Sequence, residues 1–370
     1  MKYNSNYYLS KIFSSVSNHI LNGCSQNKIY YLLPISIFYQ YKFSLKEIKV
    51  LKKFDIDIER VHGYKATYCL LKIINNKLKT NNDNSKNIIL DIKGEVFDKN
   101  KVLKKIKLIY SKYQGNRLVD LIIHGSYADN TYTSFSDIDD IVFVKRGIYN
   151  DYADFLKTIK LLKKLNLFYQ RNDFTQHHGH WIFSYRDKND YDNSIMPISV
   201  YQDSVSIGGD VKLVLCIKDV QEDFKKIASN IVQEIQQELH KIKNNNVNLY
   251  ELKNFVSGIS LITPLLFQVN NKMLSKKDAI SNAHHMLKNK TIRAIKWATK
   301  IRKNWSQLKH YSLQKNVFLI LSYLFYNRNL LDFFSRKFPL RLRKQDIIFF
   351  DKNVEKAIED LINYSKTCLK

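Results

Sequence analysis

The chain of 370 residues predicts an α/β fold of the α+β kind, a small mixed-sheet core with a helical domain after it and a helical extension before it. Three observations carry this. Two apolar, strand-like runs, Leu118–His124 and Ile138–Val144, are joined by a polar loop. Around them the pattern runs helix, strand, strand, helix, strand over about 95–218, which fits helices packed against one sheet. From about 219 onward the apolar spacing is almost wholly helical.

Residues 1–80 read mainly as helix, and form the N-terminal helical extension. Within them Ser44-Leu-Lys-Glu47 is a capping box, which satisfies orphan amides at a helix start. Thr80–Asn87 is polar and of low complexity, the best linker in the chain. A short strand at Ile88–Ile92 comes next. Val102, Leu103, Ile106, Ile109, Tyr110 and Tyr113 then recur at helical spacing, with Asp98 as a cap and Gly115 as a stop. After the two central strands, Tyr152, Phe155, Leu156, Ile159 and Leu162 mark an amphipathic helix. Further strands are expected at about 167–170, 178–185, 196–201 and 211–217, with Gly208-Gly209-Asp210 as a hairpin turn. Expected helices are Val220–Lys243, Leu249–Val269, Asp278–Lys288, Thr291–Leu308, Leu313–Tyr326 and Asn353–Ser365, interrupted by Pro264 and Pro339. The core is therefore bounded at 95–218 and the helical domain at 219–370.

A net charge of +26, from 60 Lys and Arg against 34 Asp and Glu, favours polyanionic partners such as nucleic acid. Only eleven of the sixty are Arg, and the basic residues are scattered as Lys-Lys pairs with no Arg-rich stripe. Drift towards Lys and Asn accounts for the charge as well as a nucleic-acid ligand does, and both readings stay open. Cys24, Cys69, Cys216 and Cys368 lie far apart with no metal-site spacing, and read as reduced thiols in a cytoplasmic protein. The first ten residues are polar and aromatic, unlike a signal peptide. The longest apolar runs, near Ile29–Tyr41 and Val317–Tyr326, fall short of the ~20 residues of a membrane span, and none is expected.

Chemistry concentrates at Leu121–Ala128 and Ser136–Val144. The first strand ends in Gly125-Ser126, ten residues intervene, and the second opens with Asp137 and Asp139. In a strand the i,i+2 pair points to one side, with Cα atoms about 6–7 Å apart, so the two carboxylates can share metal ions. Mg²⁺ takes hard oxygen ligands and keeps open positions for substrate phosphates. Gly125 lets backbone approach a phosphate closely, and the Ser126 hydroxyl can donate to it. Asp140 is an extra acid on the opposite strand face. The alternative for the whole stretch is an Asp-rich turn feeding an edge strand.

This arrangement resembles the nucleotidyltransferase superfamily of the polymerase-β type, whose signature is Gly-Ser or Gly-Gly after a strand, then an acidic-apolar-acidic triplet. Gly125, Ser126, Asp137 and Asp139 match it residue by residue. Asp173–Phe183, Met196–Tyr201, Leu274–Ser281 and Ile301–Trp305 look like segments of uncharacterised bacterial nucleotidyltransferase-domain proteins, extending the similarity to about residues 100–310. The resemblance implies Mg²⁺-dependent transfer of a nucleoside monophosphate from a nucleoside triphosphate to an unidentified hydroxyl or phosphate acceptor. It makes Asp137 and Asp139 the metal ligands and sets Ser126 and the Gly125 backbone on the triphosphate. It also asks for a third carboxylate, for which Asp173 is preferred; the other reading of Asp173 is a turn aspartate.

In Gln176–His180, Gly179 permits close approach, and His177 or His178 can contact phosphate, act as a base or ligate metal. A packed structural role is the alternative. Zinc is the weaker idea, because adjacent histidines on a strand face opposite ways and no Cys lies nearby. Arg171 and Lys145 are phosphate-contact candidates or solvated charges; Arg293, Arg302 and Lys303 could line a nucleotide cleft. Trp297, Ile301 and Trp305 read as helix core. Two further functions remain: template-independent nucleotide addition to RNA, and a catalytically degenerate nucleotide- or RNA-binding module. The second gains if no third carboxylate approaches Asp137 and Asp139.

Overall fold

A computed structural model describes residues 5–22, 40–78, 86–94, 100–176, 178–217, 221–324 and 340–369. In chain order its elements begin with α1 (Ser5–Leu21), β1 (Gln40–Lys42), α2 (Leu45–Lys52), β2 (Arg60–His62) and α3 (Gly63–Lys77). β3 (Lys86–Ile92), α4 (Lys101–Lys112), a short α5 (Gly115–Leu118), β4 (Val119–His124), β5 (Asp139–Val144), α6 (Tyr152–Asn172), β6 (Trp181–Ser184), β7 (Val205–Ser206) and β8 (Val211–Ile217) follow. The rest is α7 (Gln221–Lys243), β9 (Val247–Asn248), α8 (Leu249–Val269), α9 (Lys276–Ser281), α10 (Asn289–Lys303), α11 (Tyr311–Leu324), β10 (Arg341–Leu342) and α12 (Lys352–Cys368). The fold is mixed α/β with small sheets and predominantly helical surroundings.

The central sheet has the order β6-β5-β4-β7, with β5 antiparallel to β4 and parallel to β6. Its strands are apolar on both faces because both are covered. Leu121, Ile123 and Val142 pack on one side with Leu161, Leu165 and Tyr169 of α6. Ile122, Ile141 and Phe143 pack on the other with Leu213 and Leu215 of the antiparallel β3–β8 pair. The N-terminal helices share the α6-side core: the Phe13 ring lies 4.7 Å from that of Tyr149, tilted by 53°, and the Ser17 and Tyr149 hydroxyls lie 2.6 Å apart. The Ser44–Glu47 capping box closes as the sequence implies, with Ser44 N–H donating to Glu47 at 2.7 Å.

A third buried cluster joins α7, α8, α10 and α12 to Phe135, Leu167 and Phe174 from the sheet half. α8 is long and apolar enough to cross a membrane, yet 78% of its apolar window is buried here, as in a core helix. Pro264 sits inside α8 and does not interrupt it.

Several expectations change. Residues 167–170 belong to α6 and not to a strand, because Leu161, Leu165 and Tyr169 continue the helical stripe. Residues 196–201 form no strand; Pro197 has no N–H for a ladder and a 3₁₀ turn follows at Ile198–Tyr201. Gly208-Gly209-Asp210 closes no hairpin. β7 pairs with β4 while β8 pairs with β3, so this loop links two sheets, and Asp210 accepts from Gly94 N–H at 2.8 Å. Asn100 caps α4, and Gly115 opens α5 rather than stopping a helix. Asp98, Cys24, Pro339, residues 29–39 of the first long apolar run and 80–85 of the expected linker lie outside the described residues.

Candidate active site

The β4–β5 register sets His124 against Asp139, so the turn ending β4 lies beside the start of β5. Gly125 has φ +68° and opens a 3₁₀ turn, Gly125–Tyr127. A Cβ here would stand 3.1 Å from Asp139 Oδ2. Glycine thus serves both the left-handed backbone and the close approach of the carboxylate. Ser126 follows, half-buried in the same turn.

Asp137 lies two residues before the start of β5. Ile138, between the two acids, is buried in the α6-side core, and alternation turns Asp137 and Asp139 to the other face. Gln176 holds this peptide in place. Its Oε1 accepts from Ile138 N–H and its Nε2 donates to Ile138 C=O, both at 3.1 Å. Beneath the site, Asp140 accepts from the Tyr169 hydroxyl at 2.8 Å and bonds His180 Nδ1 at 2.6 Å, while His180 Nε2 bonds the Leu162 carbonyl at 2.8 Å. Asp140 and His180 are therefore buried supports that tie β5 to α6.

His178 faces the acids. Its Nε2 lies 2.7 Å from Asp139 and 3.6 Å from Asp137, and its Nδ1 donates to the Gly179 carbonyl at 2.9 Å. Burial pulls the imidazole pKa down, but the hydrogen bond and charge of Asp139, with Asp137 behind it, raise it to about 9. Burial would raise Asp139; the His178 hydrogen bond and charge hold it below the usual carboxylate range. Ligand atoms of Asp137, Asp139 and His178 all lie within 4.8 Å of one another. The donor set fits a divalent cation. The carboxylates suit Mg²⁺; His178, protonated while it donates to Asp139, would ligate through Nε2 only when a bound cation displaces that proton, its Nδ1 staying on the Gly179 carbonyl.

Asp173 caps the C-terminus of α6. Its Oδ1 accepts from Thr175 N–H at 3.0 Å and from the Thr175 hydroxyl at 2.7 Å. Its Oδ2 accepts from the ammonium of Lys253, which also donates to Asp137 Oδ1. Lys253 belongs to α8, is fully buried, and lies 5.3 Å over the Phe135 ring. Burial raises Asp173 to about 7, with Asp137 adding to the rise and Lys253 opposing it. The two carboxylates keep Lys253 above its ordinary value in spite of burial.

Two more cations face the acids from the helical half. Lys276 opens α9, and Arg302 lies near the end of α10 with its guanidinium 4.9 Å over the Phe135 ring. Burial and then Arg302 lower Lys276 to about 7, while Asp139 and Asp137 resist; burial likewise lowers Arg302 against the same two acids. The Arg302 carbonyl accepts from the Thr133 hydroxyl at 3.2 Å, fixing α10 to the loop between β4 and β5.

Gly125, Ser126, Asp137, Asp139, Asp173 and His178 thus come together, and Arg302 joins them. His177 lies outside the described residues. Lys145 is not at the site: it pairs with Asp120 at 3.2 Å, at the far end of β5. Arg171 donates to the Ser322 carbonyl at 2.8 Å and covers the Tyr323 ring, so it is an interhelical tie. Trp297 and Trp305 are buried core. Sequence reasoning missed Lys253 and Lys276. For Lys253 a signal existed: it lies four residues after Leu249 and three before Val256, a lone charge on an apolar helical stripe.

A glycine-led turn after one strand, paired acids at the start of the next, and cations brought from a helical half make an arrangement that suits phosphoryl transfer. Residues 103–173 match the nucleotidyltransferase domain family; the chain carries that domain, and the protein is a transferase. The matched segment holds Gly125, Ser126, Asp137, Asp139 and Asp173, whereas His178, Lys253, Lys276 and Arg302 lie beyond it. Neither a curated protein nor a solved structure matches the chain.

Proposed function

We propose that the protein is a Mg²⁺-dependent nucleotidyltransferase that moves a nucleoside monophosphate from a nucleoside triphosphate to a hydroxyl or phosphate acceptor. The observation that carries this is the convergence of Asp137 and Asp139 at the Gly125 turn, within 4.8 Å of His178, with Lys276 and Arg302 facing them. Asp137 and Asp139 would hold Mg²⁺, which when bound neutralises triphosphate charge and favours departure of pyrophosphate. The Gly125 backbone and Ser126 hydroxyl take phosphate oxygens, and Lys276 and Arg302 neutralise the rest of the triphosphate. The acceptor oxygen attacks the α-phosphorus in line. Its bond to phosphorus forms as the bond to the bridging oxygen breaks, pyrophosphate leaves, and Asp173 takes the acceptor's proton. A carboxylate raised to about 7 is well matched to that task near neutral pH. His178 positions Asp139. The approach of Asp173 to Asp137 through Lys253 supports an active enzyme over a degenerate binding module.

The net charge of +26 supports RNA as one acceptor class, giving template-independent nucleotide addition as the second reading. The test is transfer of label from α-³²P- and γ-³²P-labelled triphosphates to a panel of acceptors in Mg²⁺. Label should move from the α position alone, and Asp137→Asn and Asp139→Asn should each abolish it. Transfer of the γ label, or full turnover in either variant, would overturn the proposal.

A further inference from the structure

We propose that the Lys253 ammonium stands where a second divalent cation would have to sit, so that the site takes one metal ion, at Asp137 and Asp139, and Asp173 is not a metal ligand. The inference rests on the metal reading above. In two-metal phosphoryl-transfer sites, carboxylates bridge cations about 3.5–4 Å apart. Here the oxygens that would face the second ion are committed. Asp137 gives Oδ1 to Lys253 and keeps Oδ2, 3.6 Å from His178 with no hydrogen bond to it, on the side of the first ion. Asp173 gives Oδ2 to Lys253, while its Oδ1 accepts twice from Thr175, at 3.0 and 2.7 Å.

The space between Asp137 and Asp173 therefore already holds a cation. It has hydrogen bonds to both acids and the Phe135 ring at 5.3 Å on another side. Lys253 cannot swing out to make way. Its side chain has no exposure, and it rises from α8 between Leu252 and Phe255, both buried in the helical core. A Mg²⁺ ion needs six oxygens at about 2.0–2.1 Å, several of them water. No such shell fits between two carboxylates that share an ammonium. Lys253 supplies fixed positive charge there and keeps Asp173 beside Asp137, a positioning role that needs no second ion. Asp139 touches neither Lys253 nor Asp173 through any hydrogen bond recorded among the described residues, and its Oδ1 faces His178, which leaves the Asp137–Asp139 side as the single metal position.

The test is the number of Mn²⁺ ions bound per full-length chain, with Mn²⁺ alone as the probe, counted by loss of the free-ion electron paramagnetic resonance signal. One ion is expected for the wild type and one for Asp173→Asn. Lys253→Met releases both carboxylates, and its count should rise to two, with broadening from a coupled pair of ions. Two ions in the wild type, falling to one in Asp173→Asn, would overturn the inference while leaving the metal site standing. No bound Mn²⁺ in the wild type would instead sink the metal site itself. A folded Lys253→Met that still binds one ion would also overturn the proposal. If that variant does not fold, the wild-type and Asp173→Asn counts decide the matter.

Discussion

The Gln176 side-chain amide pairs with both backbone groups of Ile138, accepting from its N–H and donating to its C=O at 3.1 Å each. Ile138 is the residue between the two site acids, so this contact sets the direction of Asp137 and Asp139 together. Glutamate in place of Gln176 keeps the volume and can still accept from the N–H, but as a carboxylate it has no hydrogen to give the carbonyl. Its added negative charge would by itself favour a cation, so weaker metal binding would report lost geometry. We expect Gln176→Glu to fold and to need about 10–100-fold more Mg²⁺ for half-maximal activity, the scale of outer-shell changes. An unchanged Mg²⁺ dependence would remove this role from Gln176.

Gly125 offers a second probe of the same acids. Its φ of +68° costs an L-residue roughly 1–2 kcal/mol, and an alanine Cβ would meet Asp139 Oδ2 at 3.1 Å. The turn can relieve that contact only by moving the carboxylate. Gly125→Ala should therefore lose about 1–2 kcal/mol in urea unfolding, and lose far more in transfer rate than that cost implies. A rate that fell only in step with stability would show that the glycine serves the backbone alone.

The sheet half was legible in the sequence because its signals are local. Gly125-Ser126 and the Asp137–Asp139 pair each lie within a few residues, and strand alternation is enough to place both acids on one face. Residues 167–170 misled because Leu-Phe-Tyr-Gln is a short apolar and aromatic run that suits either period; the decision came from Leu161 and Leu165, two turns and one turn before Tyr169. The helical half's share of the site was harder to read. Lys253 meets Asp137 and Asp173 across 116 and 80 residues, and only packing of α8 against the sheet brings them together. Its sequence trace was a lysine on an apolar stripe, which more often means a stem lying on the surface with its charge in water.

Lys276 provides a pH signature. Its pKa of about 7 lies below the ordinary 10.5, so between those values the unfolded chain holds more protons than the folded one. Stability without ligand should thus rise with pH from about 7 towards 10.5, and gain nothing from Lys276 below 7. A bound triphosphate favours the charged ammonium and raises the pKa again. Binding at pH near 8 should then take up close to one proton, seen as a calorimetric enthalpy that varies with the ionisation enthalpy of the buffer. Lys276→Met should lose that uptake and bind the triphosphate more weakly. Binding by the wild type with no proton uptake would place Lys276 away from the phosphates.

The acceptor class can be separated by salt. A net charge of +26 is enough to hold a polyanion, but it is carried mostly by lysine, and neither spacing nor clustering singles out a nucleic-acid track. If RNA is the acceptor, each phosphate neutralised releases a counterion, and for a single strand log affinity falls with log salt at a slope of about −0.7 per contact. A site that engages several phosphates should lose at least about tenfold in affinity between 50 and 200 mM salt. A triphosphate held in the half-buried site as proposed, by Lys276, Arg302 and a metal ion, would be screened less and should respond less steeply. Measuring both ligands on the same protein separates the two effects. A steep slope for single-stranded RNA beside a shallow one for the triphosphate would support nucleotide addition to RNA. If RNA binding is undetectable even at low salt, the charge has no such partner and the acceptor is a small molecule or a protein hydroxyl.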